Sequence, residues 1–224
     1  MEHTKVNIRQ LEIADIERFI GQIGEKSFRV KQIHEWLWQK HAHSFDEMTN
    51  LSKDLRQQLE ANFTLPALTL NTTQLSEDGT LKTRFETFDH HMIEGVLIPT
   101  SERKTACVSS QIGCSLSCKF CATGYMERKR NLSYDEIYDQ VVMINQQSEK
   151  LHEKSLSNIV FMGMGEPMAN YNSVIGAIRR LTEPAPAGFG MSARGITVST
   201  VGLVPRMRQL AEEGIPVTLA VSLH

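Results

Sequence analysis

The feature that most constrains the fold of this 224-residue chain is a run of three closely spaced cysteines. Cys114, Cys118 and Cys121 follow the spacing CxxxCxxC, and Phe120 stands directly before the last cysteine. Such short spacings let one loop fold three thiolates around a single centre, so the sequence predicts a metal site here. Structural zinc sites have four ligands, and four-iron clusters held only by protein usually have four cysteines. Three cysteines therefore leave one metal position open to a ligand that is not protein.

The residues alone leave two other interpretations of these cysteines open. Cys107 lies seven residues upstream of Cys114 and would complete a four-ligand zinc knuckle. Alternatively, the cysteines are ordinary buried thiols. Because three of the four cysteines in the chain lie in one loop, a disulfide framework is not expected, and a reducing compartment is favoured.

Composition and charge narrow the class of protein. No apolar run approaches the ~20 residues that span a bilayer, and the N-terminus has no apolar signal segment, so we expect a soluble cytoplasmic protein. The net charge of -2 means that any RNA binding depends on local basic patches. One of these, at residues 128–130, directly follows the cysteine loop.

The first part of the chain is predicted to be a small helical domain at residues 1–65, of an RNA-binding type. Apolar residues recur at helical spacing throughout residues 8–63. Ser52 is a candidate N-cap for the last helix of this domain. We expect Trp36 to lie in the core, whereas the pattern leaves the position of Trp38 undecided.

Residues 66–104 are predicted to form an antiparallel β extension. Two alternating segments flank Glu77-Asp78-Gly79, which indicates a hairpin. A third strand covers residues 92–98, and because both of its faces are rich in apolar residues we expect it to be buried on both sides. Glu94 lies in this strand. Burial would raise the pKa of its carboxyl group toward the range of a general acid or base.

The remainder, residues 105–224, is predicted to be an α/β domain with a parallel sheet. Four apolar strands, at 105–110, 158–162, 195–201 and 216–222, alternate with helices. A capping box from Ser133 to Glu136 predicts the start of the first of these helices. Ligands of such sheets bind at the carboxyl ends of the strands. The residues that fall there are Gly165, Glu166, Ser199 and Ser222.

Five stretches together resemble one known family. They read ACVSSQIGC (106–114), CKFCATG (118–124), FMGMGEP (161–167), STVG (199–202) and SLH (222–224). These resemble the radical S-adenosylmethionine (SAM) adenine-C2 RNA methyltransferases, which act on 23S rRNA and tRNA. The resemblance implies a radical SAM (βα) barrel, of which about four of six strands are present, at residues 105–224. It also implies two cofactors, a [4Fe-4S] cluster and SAM.

The same resemblance implies roles for individual residues. Three cysteines would bind the cluster, namely Cys114, Cys118 and Cys121. Six residues would line the SAM pocket, namely Gly165, Glu166, Ser199, Ser222, Leu223 and His224. Glu94 matches the proton acceptor of the family, and Cys107 matches the cysteine that releases the product from a covalent RNA–enzyme link. The expected partners are 23S rRNA, tRNA and an electron donor such as a flavodoxin.

One departure from the family leads to a further expectation. Family members carry the transferred methyl group on a second cysteine near the C-terminus, and no cysteine follows Cys121 here. We therefore expect the chain to be the N-terminal part of such an enzyme, whose activity as it stands is either none or uncoupled SAM cleavage. The alternatives are a non-catalytic, metal-stabilised RNA-binding module and a methyltransferase acting on C8 of adenine.

Overall fold

The computed structural model describes residues 5–185 and 187–223. The chain falls into two compact units. One unit contains Met1–Ala67 together with Glu183–Gly190, and the other contains Leu68–Thr182 and Met191–His224. His224, which is predicted to be a cofactor-binding residue, lies outside the described residues.

The first unit is helical, as predicted. Its elements are β1 (Val6–Asn7), α1 (Ile13–Gln22), α2 (Phe28–Trp38), α3 (Lys53–Asn62) and β2 (Phe63–Thr64). Strands β1 and β2 pair in parallel. The predicted cap of the last helix is confirmed, because Ser52 Oγ accepts a hydrogen bond from the backbone N–H of Leu55 at 3.2 Å. The helices do not run through residues 8–63 without interruption, since irregular segments separate them.

The prediction that Trp36 lies in the core of this unit is wrong. Trp38 is the buried tryptophan, with 2% of its surface exposed. The indole Nε1 of Trp36 donates to Asn50 Oδ1, and the ammonium of Lys40 lies 4.3 Å from the centre of the Trp36 ring. A helix turns by about 100° per residue, so Trp36 and Trp38 lie at equal angles on either side of the buried Leu37, and packing around α2 decides which of them is buried.

The described residues of the second unit form nine strands. They are β3 (Thr69–Leu75), β4 (Leu81–Glu86), β5 (Met92–Pro99), β6 (Lys104–Cys107), β7 (Gln111–Ile112), β8 (Arg130–Asn131), β9 (Asn158–Phe161), β10 (Ile196–Thr200) and β11 (Thr218–Val221). Seven of them form one sheet in the order β11-β10-β9-β6-β5-β4-β3, and β7 pairs with β8 separately. Pairing is antiparallel from β3 to β6 and parallel from β6 to β11.

This topology confirms the predicted fold class. The hairpin around Gly79 and the four parallel strands are present, and the antiparallel strands extend the same sheet. Within the described part of the chain the sheet is open and forms no closed barrel. The helices that alternate with the parallel strands are α4 (Tyr134–His152), α5 (Tyr171–Thr182) and α6 (Val204–Glu212). None of the described helices is long and apolar enough to cross a bilayer.

The two faces of the sheet differ in burial. One face is packed and apolar, and its buried residues include Ile93, Gly95, Leu97, Ala106, Ile159, Phe161, Ile196 and Val198. A Cβ atom added to Gly95 would lie 2.9 Å from Ile144 of α4, which shows how closely that helix covers the sheet. The opposite face, which we call the open face, carries half-buried residues, namely Glu94, Val96, Cys107, Val160 and Ser199.

The open face corrects one prediction. Strand β5 is buried on the side of Ile93, Gly95 and Leu97 but only half-buried on the side of Glu94. Apolar residues on both faces of the strand suggested burial on both sides, yet within the described residues the helices α4 and α5 pack on one side of the unit. The apolar side chains of the other side therefore remain partly accessible.

Candidate active site

A pocket of about 310 Å³ lies at the carboxyl ends of β9, β10 and β11. It brings together seven of the residues that the sequence singles out, namely Cys114, Cys118, Cys121, Gly165, Glu166, Ser199 and Ser222. Glu94, Cys107 and Leu223 are not among its lining residues, and 86% of the Leu223 surface is exposed. The pocket also includes Thr200 and Val201, which directly follow Ser199.

The ends of the cysteine loop are fixed by a short antiparallel pair. Strands β7 and β8 place Gln111 opposite Asn131 and Ile112 opposite Arg130. Gly113 turns the chain into the loop with φ of 74°, and a Cβ atom there would lie 2.2 Å from the carbonyl oxygen of Glu127. Only glycine fits this turn without displacing the returning strand.

The cysteine segment itself is a series of backbone turns. The N–H of Cys121 donates to the carbonyl of Cys118 at 3.1 Å, and the N–H of Gly124 donates to the carbonyl of Cys121 at 2.9 Å. The N–H of Leu116 lies 3.4 Å from Cys114 Sγ, which orients it as a donor to that sulfur. The loop thus holds its thiols beside the pocket with local hydrogen bonds.

The donor set of this loop fits an iron–sulfur cluster chemically, because thiolates are the ligands that such clusters use. All of the cysteines are free and half-buried. Among residues 5–185 and 187–223, however, no group of three or more histidine, cysteine, aspartate or glutamate side chains is arranged to hold a metal ion. The three loop thiols nevertheless line the same pocket.

Glu166 links the two strand-end turns that border the pocket. Its buried carboxylate accepts the N–H of Met168 at Oε1 (2.9 Å) and the N–H of Val201 at Oε2 (3.0 Å). Its own backbone N–H donates to the side-chain oxygen of Gln111 at 2.9 Å. The residue therefore fixes the turn after β9 to the turn after β10, in addition to lining the pocket.

Glu94 lies on the open face with 44% of its side chain exposed, and its carboxylate forms an ion pair with Lys82 Nζ at 2.8 Å. The burial that we expected for this carboxyl group is therefore absent. Its backbone is more firmly held, since Ser109 Oγ donates to the Glu94 carbonyl at 2.6 Å. Val96, two residues further along, lies directly opposite Cys107. Glu94 and Cys107 are consequently diagonal neighbours on one face of the sheet, a position in which Cα atoms are about 7–8 Å apart.

Burial raises the pKa of the Cys107 thiol. Less of it is therefore thiolate near pH 8 than in an unfolded chain, where a cysteine has a pKa near ~8.5. We predict that iodoacetamide labels Cys107 at least about 10-fold more slowly in the folded chain than in guanidinium, and that the folded rate keeps rising above about pH 9. Mass spectrometry of the Cys107 peptide over time measures both rates. Equal rates in the two states would contradict the effect.

Sequence reasoning missed a charged cluster beside the cysteine loop, which we call the Arg130 clamp. The guanidinium of Arg130 makes two hydrogen bonds to Asp89, both 2.7 Å, and two to Glu136, at 2.7 and 2.8 Å. Residues 128–130 had suggested a basic patch, but Arg130 is committed to these carboxylates. Of the two carboxylates, the sequence singled out only Glu136, because the capping box from Ser133 to Glu136 was predicted. That capping box is present.

We predict that Arg130→Met lowers the stability of this unit by about 2 kcal/mol at pH 7, because it leaves the 4%-exposed Glu136 carboxylate unpaired. A thermal midpoint about 5 °C lower would measure this. The matched control is Arg179→Met, which removes an exposed ion pair with Glu213 and should cost under about 1 kcal/mol. Equal losses for the two variants would refute a special role for the clamp.

The clamp also predicts a pH dependence. Hydrogen bonding to Arg130 holds the pKa of Asp89 well below its ordinary value in the folded chain. A lowered folded pKa contributes stability that is full above the unfolded pKa of about 4 and is lost as the pH falls. The difference in thermal midpoint between wild type and Arg130→Met should therefore shrink below about pH 4.

These features define an α/β domain with a pocket and a three-cysteine loop at the carboxyl ends of its parallel strands, where ligands of such sheets bind. Comparison with known proteins specifies the class further. The profile of the radical SAM superfamily matches residues 108–224, and the profile of the ribosomal RNA large subunit methyltransferase N-terminal domain matches residues 6–65. The chain belongs to the radical SAM superfamily, whose members use SAM and a [4Fe-4S] cluster.

Relatives and a solved structure agree with this assignment. A probable dual-specificity RNA methyltransferase RlmN of Christiangramia forsetii is 50% identical over 98% of this chain and 62% of the relative. A protein of the same name from Cytophaga hutchinsonii is 48% identical over 100% of this chain and 60% of the relative. The crystal structure of a radical SAM methyltransferase from Sphaerobacter thermophilus superposes with a TM-score of 0.86 at 41% identity, over 98% of this chain and 64% of that one. The chain spans roughly three fifths of these proteins.

Proposed function

We propose that this chain supplies the cluster- and SAM-binding part of a radical SAM enzyme that methylates C2 of adenine in 23S rRNA and tRNA. The observation that carries the proposal is the pocket, where three loop cysteines lie beside Gly165, Glu166, Ser199 and Ser222. The names of the relatives, dual-specificity RNA methyltransferases, support the substrate class.

In this proposal Cys114, Cys118 and Cys121 hold the cluster as thiolates. When bound, the cluster supplies the electron that cleaves SAM reductively. Gly165 and Glu166 line the strand-end side of the pocket, where the turn and the carboxylate would accept hydrogen bonds from the ammonium group of SAM. Ser199 and Ser222 offer hydroxyl groups from the two neighbouring strands. Leu223 and His224 follow Ser222 in the sequence and are proposed to bind SAM as well.

The open face supplies the proposed acid–base and release chemistry. We propose that Glu94 accepts the proton that leaves the adenine ring, and its half-exposed carboxylate is accessible for that task. Lys82, at 2.8 Å, keeps this carboxylate oriented. Cys107 is proposed to attack, as a thiolate, the sulfur of the methyl-carrying cysteine in the link between enzyme and RNA. The S–S bond would form, the S–C bond would break, and the released carbon would take the electron pair and a proton to become the methyl group. Because burial raises the pKa of the Cys107 thiol, a base must first remove its proton.

The helical unit is proposed to contact RNA. Its surface pairs cations with aromatic rings, with Arg29 over Phe28 at 4.9 Å and Lys40 over Trp36 at 4.3 Å. Half of the Phe28 surface is exposed. Aromatic faces stack on splayed bases and cations bind phosphates, which suits folded RNA.

A flavodoxin is the proposed electron donor. The proposed compartment is the cytoplasm, where free thiols stay reduced.

The test of the proposed cofactors is anaerobic reconstitution with iron and sulfide, followed by reduction with dithionite in the presence of SAM. We expect about four iron atoms per chain and formation of 5'-deoxyadenosine, measured by chromatography. Zinc binding without iron binding would instead support a metal-stabilised RNA-binding module.

The proposed methyl position needs a separate experiment in the host. Deleting the gene should remove 2-methyladenosine from digests of 23S rRNA and tRNA analysed by mass spectrometry. Selective loss of 8-methyladenosine would favour the C8 alternative, and unchanged nucleosides would refute the proposed reaction.

A further inference from the structure

Gln111 lies between the two loops that form the site. Its side chain is fully buried. Its Oε1 accepts the backbone N–H of Glu166 at 2.9 Å, and its Nε2 donates to Asn131 Oδ1 at 2.8 Å. Glu166 belongs to the turn that borders the pocket, and Asn131 belongs to the strand that closes the cysteine loop. The side-chain amide of Gln111 therefore connects the turn at Glu166 to the base of the cysteine loop.

Contacts around this amide make the connection rigid. The backbone N–H of Gln111 donates to the carbonyl of Met164 at 3.2 Å. Gly165, with φ of 95°, packs so closely that an added Cβ atom would lie 2.5 Å from Gln111 Cβ. In the β7–β8 pair, Gln111 also lies directly opposite Asn131. Both the side chain and the backbone of Gln111 thus contact the turn and the base of the cysteine loop.

We infer that Gln111 is a positioning residue that sets the distance and orientation between the cysteine loop and the Gly165–Glu166 turn. This inference rests on the proposed function, in which one loop holds the cluster and the turn holds SAM. Gln111 does not line the pocket, so it acts through Glu166 and Asn131 and not by contact with the cofactor. A ligand that must reach both sides at once binds well only if their spacing is fixed beforehand.

A second buried glutamine provides a matched control. Gln140 of α4 is also fully buried, and its amide both accepts the N–H of Ser109 at 2.8 Å and donates to the Ser109 carbonyl at 3.1 Å. It braces the helix against the strand end without a hydrogen bond to Glu166 or Asn131. Gln111→Leu and Gln140→Leu remove the same amide from equally buried sites.

The experiment measures iron content, SAM affinity and thermal midpoint of the anaerobically reconstituted chain for wild type and both variants. SAM affinity is measured by equilibrium dialysis with radiolabelled SAM, and the reduced cluster is examined by electron paramagnetic resonance with and without SAM. We expect both variants to retain iron and to lose similar thermal stability. Gln111→Leu should weaken SAM binding by at least about 10-fold and reduce the SAM-induced spectral change, whereas Gln140→Leu should change affinity by less than about 3-fold.

Gln111→Glu is the second variant, in case the leucine variant does not fold. It keeps an acceptor for the Glu166 N–H but loses the donor to Asn131, so its SAM affinity should fall between those of Gln111→Leu and Gln140→Leu. A wild-type chain that binds neither iron nor SAM would overturn the proposed function and this inference together. If wild type binds both and Gln111→Leu weakens SAM no more than Gln140→Leu does, the inference alone is overturned.

Discussion

Cys118→Ala is expected to reduce the iron bound after anaerobic reconstitution from about four atoms per chain to less than about one. Cys118 is the middle ligand of the proposed set, and a loop with two thiolates cannot hold a four-iron cluster that already lacks a fourth protein ligand. Without the cluster no electron reaches SAM, so formation of 5'-deoxyadenosine should fall at least about 100-fold. Iron analysis and chromatography measure the two effects.

Cys107→Ala is the control for this prediction. Cys107 lies on the open face and does not line the pocket. Its removal should leave both iron content and 5'-deoxyadenosine formation within about 2-fold of wild type, because the proposed role of Cys107 comes after SAM cleavage. Loss of iron in Cys107→Ala would instead make Cys107 a fourth ligand of the metal site, and retained iron in Cys118→Ala would refute the three-cysteine cluster.

Local patterns in the sequence predicted much of this fold. A turn at Glu77-Asp78-Gly79 between two alternating segments specifies a hairpin with little help from the rest of the chain. The capping box at Ser133 and Glu136 similarly fixes the start of α4. Four apolar segments alternating with helices predicted the parallel strands, and these strands are confirmed.

Burial was harder to predict, because it depends on what packs against each face. Apolar residues on both sides of β5 suggested two covered faces, yet Glu94 is half-exposed beside Lys82. Trp36 and Trp38 are the same type of residue and lie two positions apart in α2. Only packing decides which of them is buried. A pattern of residue types does not contain that information.

Connections between distant residues escaped sequence reasoning for a related reason. Arg130 binds Asp89, 41 residues earlier, and Gln111 binds Glu166, 55 residues later. No periodicity or spacing in the sequence links such pairs. The cysteine spacing, in contrast, lies within one short segment and can be recognised from the sequence alone. The resemblance to a known family identified seven of the residues that line the pocket, but the side chains that brace those residues became visible only in the structure.

The turn at Gly165 leads to the second large prediction. Its φ of 95° is a conformation that residues with side chains rarely adopt, and a Cβ atom there would lie 2.5 Å from Gln111 Cβ. In Gly165→Ala, the backbone strain costs about 1 kcal/mol, and overpacking against Gln111 adds about 2 kcal/mol. The thermal midpoint of this unit should therefore fall by about 9 °C.

SAM binding should suffer more than stability does in Gly165→Ala. The added methyl group must push the Gly165–Glu166 turn away from Gln111, and this turn forms one wall of the pocket. We expect SAM affinity to fall at least about 100-fold, measured by equilibrium dialysis with the reconstituted chain.

Gly214→Ala is the control, because Gly214 has φ of 67° but no atom within 4 Å of an added Cβ. That variant carries backbone strain without a clash, so it should lose about 3 °C and keep its SAM affinity. Equal SAM affinity in the two alanine variants would show that the Gly165 turn is no part of the SAM site.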